Sequence, residues 1–150
     1  MTNKRFIFLS DKFYKDYPGE QYPELEQKRN RPYIQIVIEI NGVRYAAPLR
    51  SGIKHTYAFW TDKKNHCGID FSKVVVISDE EYINSETVPY IRPNEFNALR
   101  GKDYKIKIKM IKYIEKYKKA KQDLSKRVNQ NIVRYSTLQY FEKEIGIDFD

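Results

Sequence analysis

Residues 33–49 constrain this chain more than any other stretch, because they spell an antiparallel hairpin. Ile34, Ile36, Ile38 and Ile40 alternate with Tyr33, Gln35, Val37 and Glu39, the period of a strand with one buried face. Asn41-Gly42 follows, the pair that best tolerates the two positive φ angles of a type I′ turn. Val43 to Leu49 then returns as the partner strand. Pro48 has no N–H to donate, so the second strand is expected to end, or to lie at a sheet edge, near it.

Around this hairpin the remaining elements are shorter. Arg5 to Ser10 reads as a buried strand. Residues 11–32 are polar, with Pro18, Gly19, Pro23 and Pro32, and predict a long connection or a short irregular helix. Residues 50–68 predict a loop with one short strand, Lys73–Ile77 a β-branched strand, and Tyr90–Arg92 another, stopped by Pro93. Asp79-Glu80-Glu81 reads as a helix start. Further on, Tyr104, Ile106, Ile108 and Met110 alternate with lysines, which suits a strand. Yet Ile106, Met110, Tyr113, Tyr117, Ala120, Leu124 and Val128 recur at spacings of three and four. Length decides for one long amphipathic helix, from roughly Asn97 to Val128. Ser136 with Gln139 forms a capping box for a second helix, with Leu138, Phe141 and Ile145 on one face and Gly146 closing it. The expectation is a single α+β domain over residues 1–150, with a mostly antiparallel sheet and C-terminal helices.

Charge is concentrated on one element. The chain carries a net charge of +8, and residues 101–130 hold eleven lysines and arginines against three acidic residues. A localised basic stripe is the footprint of a polyphosphate partner. An acidic protein or a membrane surface would use the same stripe. The thirteen tyrosines are able to pack a ring, or stack it on a base, while the hydroxyl stays wet. No apolar run reaches the length of a membrane span. Met1 to Phe6 lead straight into a strand without a signal-peptide core, and Cys67 has no partner for an internal bridge. Both features predict a cytoplasmic protein.

The chemistry-bearing motifs are few. The chain has no phosphate-binding glycine loop, CxxC pair, HExxH or GxSxG. Two histidines and one cysteine fall short of a zinc site, and the carboxylates are scattered. No cofactor or metal is expected. What remains is Pro48 to Tyr57, where Arg50, Ser51, Lys54 and His55 lie within six residues. RNA cleavage by its own 2′-hydroxyl requires a base, a cation for the extra charge on phosphorus, and an acid for the departing 5′ oxygen. Histidine has the pKa for acid or base work. A basic strand-end loop also serves to bind phosphate without catalysis.

In this hairpin the sequence resembles the ToxN/AbiQ family of type III toxin–antitoxin endoribonucleases, nearest its CptN branch. The residues that carry the resemblance are Phe6 to Tyr14, Arg31-Pro32-Tyr33, Ile36 to Gly42 and, most strongly, Tyr45-Ala46-Ala47-Pro48-Leu49-Arg50-Ser51. The long basic helix fits as well. The resemblance implies a compact, strongly twisted antiparallel sheet with flanking helices, like the MazF/Kid type of RNase toxin. It also implies metal-independent cleavage of single-stranded RNA to a 2′,3′-cyclic phosphate and a 5′-hydroxyl. The implied partner is a short, tandemly repeated pseudoknot RNA antitoxin, which the toxin cuts from a precursor and then binds, in several members as a closed ring of alternating protein and RNA. The implied roles are phage defence and plasmid maintenance.

Carried over by position, the family's serine falls on Ser51, its loop lysine on Lys54 and the basic residue before the long strand on Arg31. Arg50 stands where a threonine is frequent, and Ile53 where that branch has a lysine. Ser51 and Lys54, assisted by Arg50 and Arg31, are the candidates to orient the phosphate and stabilise its charge. His55 is the candidate acid or base, and its division of labour with Lys54 stays open. Tyr14, Tyr33 and Trp60 are candidates to stack on bases or equally to pack. Lys12 and, on the long helix, Lys105, Lys109, Lys112, Lys116 and Lys119 are candidates to hold RNA backbone. His66 and Cys67 are given no chemical role. The rival readings are a non-catalytic basic RNA-binding module and an adaptor that docks an acidic protein.

Overall fold

A computed structural model describes residues 5–25 and 32–147. The fold is α+β, with a six-stranded antiparallel sheet and four α-helices among the described residues. The strands are β1 (Arg5–Ile7), β2 (Gln35–Ile40), β3 (Val43–Arg50), β4 (Ala58–Asp62), β5 (Cys67–Asp70) and β6 (Val75–Val76). The helices are α1 (Asp11–Asp16), α2 (Pro93–Leu99), α3 (Asp103–Gln122) and α4 (Arg127–Arg134). The sheet order is β1-β2-β3-β5-β4, with β6 also on β3.

The hairpin forms as expected. Asn41 and Gly42 take φ of 51° and 80°, and Ile40 pairs with Val43. Pro48, however, neither ends β3 nor marks an edge. The strand continues to Arg50, Pro48 sits opposite Gln35, and Leu49 N–H donates to Ile34 O at 2.8 Å. That register puts the missing Pro48 donor on the far side of β3. There β3 changes partners: Tyr45 and Ala46 pair with β6, and Leu49 and Arg50 with β5. Proline falls in the gap between two partners, where no ladder bond is lost.

Other expectations need correction. Residues 50–68 yield a hairpin's worth of strand, β4 and β5, rather than one strand. Gly68 makes that pairing possible, since a Cβ there would lie 2.2 Å from Phe59 O. Of Lys73–Ile77 only Val75–Val76 is strand, and Tyr90–Arg92 is irregular chain leading into Pro93, the first residue of α2. A residue before proline disfavours helix, and proline itself suits the first turn.

The single helix expected from Asn97 to Val128 is three helices. Gly101 takes φ of 71° and breaks the chain between α2 and α3, the left-handed conformation that stops a helix. At the other end, past Gln122, side chains take the carbonyls that a continuing helix would use: Asn129 donates to Asp123 O at 2.8 Å and Gln130 to Leu124 O at 2.7 Å. Within α3 the apolar seam is as read. Ile106, Met110, Tyr113, Tyr117 and Ala120 are buried, whereas Leu124 and Val128, beyond the break, are exposed. The helix expected after Ser136 is a short 3-10 turn, Thr137–Tyr140. Ser136 caps it, but the Gln139 amide donates to the Ser136 and Arg134 carbonyls instead of accepting from Ser136 N–H as a capping box requires. Asp79 does cap a helical start, a 3-10 turn over Glu80–Tyr82.

The core gathers Ile36, Ile69, Phe71 and Val74 from the sheet side, Phe13 from α1, and Met110 and Tyr117 from α3. The C-terminal segment is tied to it by polar contacts: Tyr113 Oη donates to Ser136 Oγ at 2.6 Å, and Thr137 Oγ1 bonds Val74 O and, at 3.2 Å, Ser72 O. These contacts fix residues 71–74, which carry one side of the site described next.

Candidate functional site

The site forms where two strands end side by side. Arg50 is the last residue of β3 and Asp70 the last of β5, and the Leu49–Ile69 pairing places them together. Between them the chain makes a tight excursion. Gly52 turns it at φ of 67°, Ile53 N–H donates to His66 O at 3.0 Å, and the chain returns through His55 and Tyr57 into β4.

Asp70 is fully buried, and its carboxylate organises the cluster. Oδ2 accepts from an Arg50 guanidinium N–H at 2.7 Å. Oδ1 accepts from Ser72 N–H at 2.9 Å and from Ser72 Oγ at 2.6 Å. His55 Nε2 lies 3.1 Å from Asp70 Oδ1 and 3.1 Å from Ser72 Oγ. On the other side of the imidazole, Tyr57 N–H donates to Nδ1 at 3.0 Å. An Nδ1 that accepts carries no proton, so the geometry assigns the ring proton to Nε2, directed at Asp70 and Ser72. Burial opposes ionisation of Asp70. The hydrogen bonds from His55 and Ser72, with the charge of Arg50, outweigh it and hold the carboxyl below the usual carboxylate range.

This arrangement is not a serine nucleophile triad, although the residue types match. In a triad the carboxylate holds one imidazole nitrogen and the hydroxyl the other. Here both partners share Nε2, and Ser72 is itself buried. The cluster instead fixes one cation: Arg50, whose side chain is 19% exposed, is held on Asp70 with its guanidinium carbon 5.5 Å from the Tyr33 ring centre.

Tyr57 connects the cluster to the basic helix. Its ring lies 5.5 Å from both the His55 and Tyr113 rings, and Lys116 Nζ stands 5.7 Å from its centre. Lys109, Lys112 and Lys116 line one wall of a groove of about 230 Å³, with Thr56 and Tyr57 opposite. Lys112, Lys116 and Lys119 continue into a second concavity of about 460 Å³ with Lys126. Lys105, Lys109, Lys112, Lys116 and Lys119 are all exposed, at the spacing that lines one side of a helix. A third cleft, about 490 Å³, opens beside Arg50 and Ser51, bounded by Tyr33, Thr61, Tyr90, Arg92 and Glu95.

No family model, curated protein or solved structure matches this chain.

The sequence-derived candidates thus separate into groups. Arg50 and His55 meet in one network, Ser51 sits exposed at the mouth of the cleft beside them, and Lys54 is exposed without an ion pair or hydrogen bond among the described residues. Arg31 lies outside the described residues. Tyr14 does not offer a stacking face: it is buried, its ring edge-on to Phe13 at 5.6 Å. Lys12 is engaged by Asp79 at 2.7 Å and Glu81 at 2.8 Å, so those carboxylates hold the ammonium proposed for RNA. Trp60 is half-buried, edge-on to His66. Partial burial, with the Asp62 and Glu95 carboxylates, raises the Cys67 thiol above its ordinary pKa, which keeps it out of the nucleophilic thiolate form.

Asp70, Ser72 and Tyr57 escaped the sequence reading. The local signal was Asp70-Phe71-Ser72, a carboxylate two residues before a hydroxyl, the pattern of an Asx turn. What no local pattern supplies is the pairing of Asp70 with Arg50. Among the described residues no three His, Cys, Asp or Glu side chains converge as a metal cage, and no helix is long and apolar enough to cross a membrane.

Proposed function

We propose that this chain is an endoribonuclease toxin of the type III toxin–antitoxin class, with a MazF/Kid-like core, that cuts single-stranded RNA without metal. In this reading it processes, and is held by, a repetitive pseudoknot RNA antitoxin. The observation that carries the reading is the convergence of the α3 lysine stripe, through Lys116 and Tyr57, on the His55–Asp70–Arg50 network. In this reading the stripe supplies affinity for the phosphate backbone, and Arg50, held by Asp70, supplies a fixed cation for the pentavalent phosphorus.

The chemistry follows from the groups at hand. The 2′-hydroxyl loses its proton, its oxygen attacks phosphorus, the bond to the 5′ oxygen breaks, and that oxygen takes up a proton. A 2′,3′-cyclic phosphate and a 5′-hydroxyl result. Arg50, aimed by Asp70, faces the developing charge, Ser51 offers a donor beside it, and Lys54 is the exposed ammonium of the same loop. For His55 to exchange a proton with substrate, its Nδ1 must first release the Tyr57 N–H. The antitoxin backbone, in turn, follows the lysine stripe, and a ring of alternating protein and RNA uses that same surface.

A second reading rests on the same imidazole. With both nitrogens of His55 satisfied internally, the cluster serves as a rigid cation mount, and the protein binds RNA without cutting it. One assay separates the two. RNA-free protein is incubated with end-labelled single-stranded RNA in excess EDTA, beside an active metal-independent RNase. Discrete fragments ending in cyclic phosphate support the toxin; RNA that is bound but intact refutes cleavage and favours the binding module.

A further inference from the structure

The third cleft, beside Arg50 and Ser51, has a composition that the lysine stripe does not explain. It holds charges of both signs that ignore one another. Arg92 and Glu95 both line it, yet neither makes an ion pair or side-chain hydrogen bond among the described residues. The other carboxylate of the cleft, Asp62, is already occupied by the Asn65 N–H at 3.3 Å and the Asn65 amide at 2.7 Å. Tyr90 stands at the rim with 77% of its surface exposed. Thr61 sits at the bulge of β4, where the register shifts between Trp60 and Asp62, and its hydroxyl oxygen is buried without a hydrogen-bond partner.

An open cleft with a guanidinium, an uncommitted carboxylate and an exposed ring matches a nucleotide. At about 490 Å³ it is also large enough for one. The carboxylate then decides which base. Two carboxylate oxygens side by side accept two adjacent donors. Guanine alone among the RNA bases offers a pair, N1–H and N2–H, on its Watson–Crick edge. Adenine, cytosine and uracil each place a lone pair next to their donor, which a carboxylate repels.

We propose that this cleft is a guanine subsite for single-stranded RNA. Glu95 accepts the N1–H and N2–H of the base, Tyr90 stacks on it, and Arg92 holds its phosphate next to Arg50. The proposal rests on the RNA-cleaving reading for its substrate class and adds the identity of a recognised nucleotide. A guanine mononucleotide would satisfy the same groups. The lysine stripe of α3 favours the polymer, because a mononucleotide leaves those cations unused.

The test uses fully 2′-O-methylated hexanucleotides, which lack the attacking hydroxyl and so report binding apart from cleavage. Fluorescence anisotropy compares a uridine hexamer with the same hexamer carrying one central guanosine or adenosine. The guanosine hexamer should bind about tenfold or more tightly than the others, the worth of one bidentate base contact. Glu95→Gln, which keeps the size but offers one acceptor and one donor, should reduce that preference to less than about threefold while uridine binding holds. Tyr90→Ala should weaken all three hexamers, by about tenfold. Equal binding of the three by the wild type, or a guanine preference that survives Glu95→Gln, overturns the subsite. Guanosine monophosphate binding as tightly as the hexamer overturns its assignment to RNA. Cleavage of natural RNA without a guanine preference would sink the subsite and leave the nuclease standing. A guanine preference without any cleavage would do the reverse.

Discussion

Replacing Asp70 by asparagine tests the organisation of the site most directly, because one carboxylate holds Arg50, His55 and Ser72 together. The substitution keeps the shape and leaves an oxygen to accept from Ser72. It removes the counter-charge of an arginine whose side chain is only 19% exposed. Breaking a fully buried ion pair from one side costs about 3–5 kcal/mol. Residual exposure of Arg50 and the retained Ser72 bonds place this case at the lower end, about 3 kcal/mol. Against a total stability of about 5–15 kcal/mol that is a large fraction. Urea unfolding followed by far-ultraviolet circular dichroism should show the midpoint falling by about 1.5 M with unchanged slope. Pairing Asp70→Asn with Arg50→Met should recover much of the loss, since no buried cation is then left alone. The pH dependence carries the same signature. The folded-state pKa of Asp70 lies below its unfolded value, so its stabilisation is complete above the ordinary aspartate range near 4 and declines as pH falls through it. Asp70→Asn should lose that part of the acid limb. An asparagine variant within about 0.5 kcal/mol of wild type at neutral pH would refute the claim that charge, rather than packing, holds Arg50.

Three further outcomes are expected. Gly68→Ala would drive a Cβ into Phe59 O, a backbone atom that cannot step aside; a loss of about 3 kcal/mol, or roughly 6–12 °C in a thermal melt, should follow, and an unchanged melt would mean that β4 and β5 pair differently. Lys112→Ala combined with Lys116→Ala should leave the fold intact and flatten the logarithmic salt dependence of single-stranded RNA binding by about 1.4; an unaltered slope would remove the α3 stripe from the interface. Ser51→Ala and Lys54→Ala, both at exposed positions, should each abolish cleavage without shifting the urea midpoint; full activity in both would confine the chemistry to the Arg50–Asp70–His55 network.

Local physics determined much of this protein. The isoleucine alternation and Asn41-Gly42 specify the central hairpin, because turn dihedrals and pleat period are properties of neighbouring residues. The spacing of Ile106, Met110, Tyr113 and Tyr117 specifies the buried seam of α3, and with it the outward lysines. Arg50, Ser51, Lys54 and His55 were legible as a group because they are adjacent in the chain. Beyond adjacency the sequence alone decided less. It did not reveal that Gly101 and the side chains of Asn129 and Gln130 cut one periodic segment into three helices, since periodicity is blind to a single left-handed residue or a side chain bonding a carbonyl. Nor did it reveal that β3 runs past Pro48, which depends on the gap between β5 and β6. Tyr14 was open between stacking and packing and Lys12 was a candidate for RNA backbone; tertiary packing decided both, burying one and ion-pairing the other. Asp70 is the clearest case: twenty residues separate it from Arg50, and only the pairing of β3 with β5 closes that distance. Local rules placed the cations, but long-range strand register chose the carboxylate that aims them.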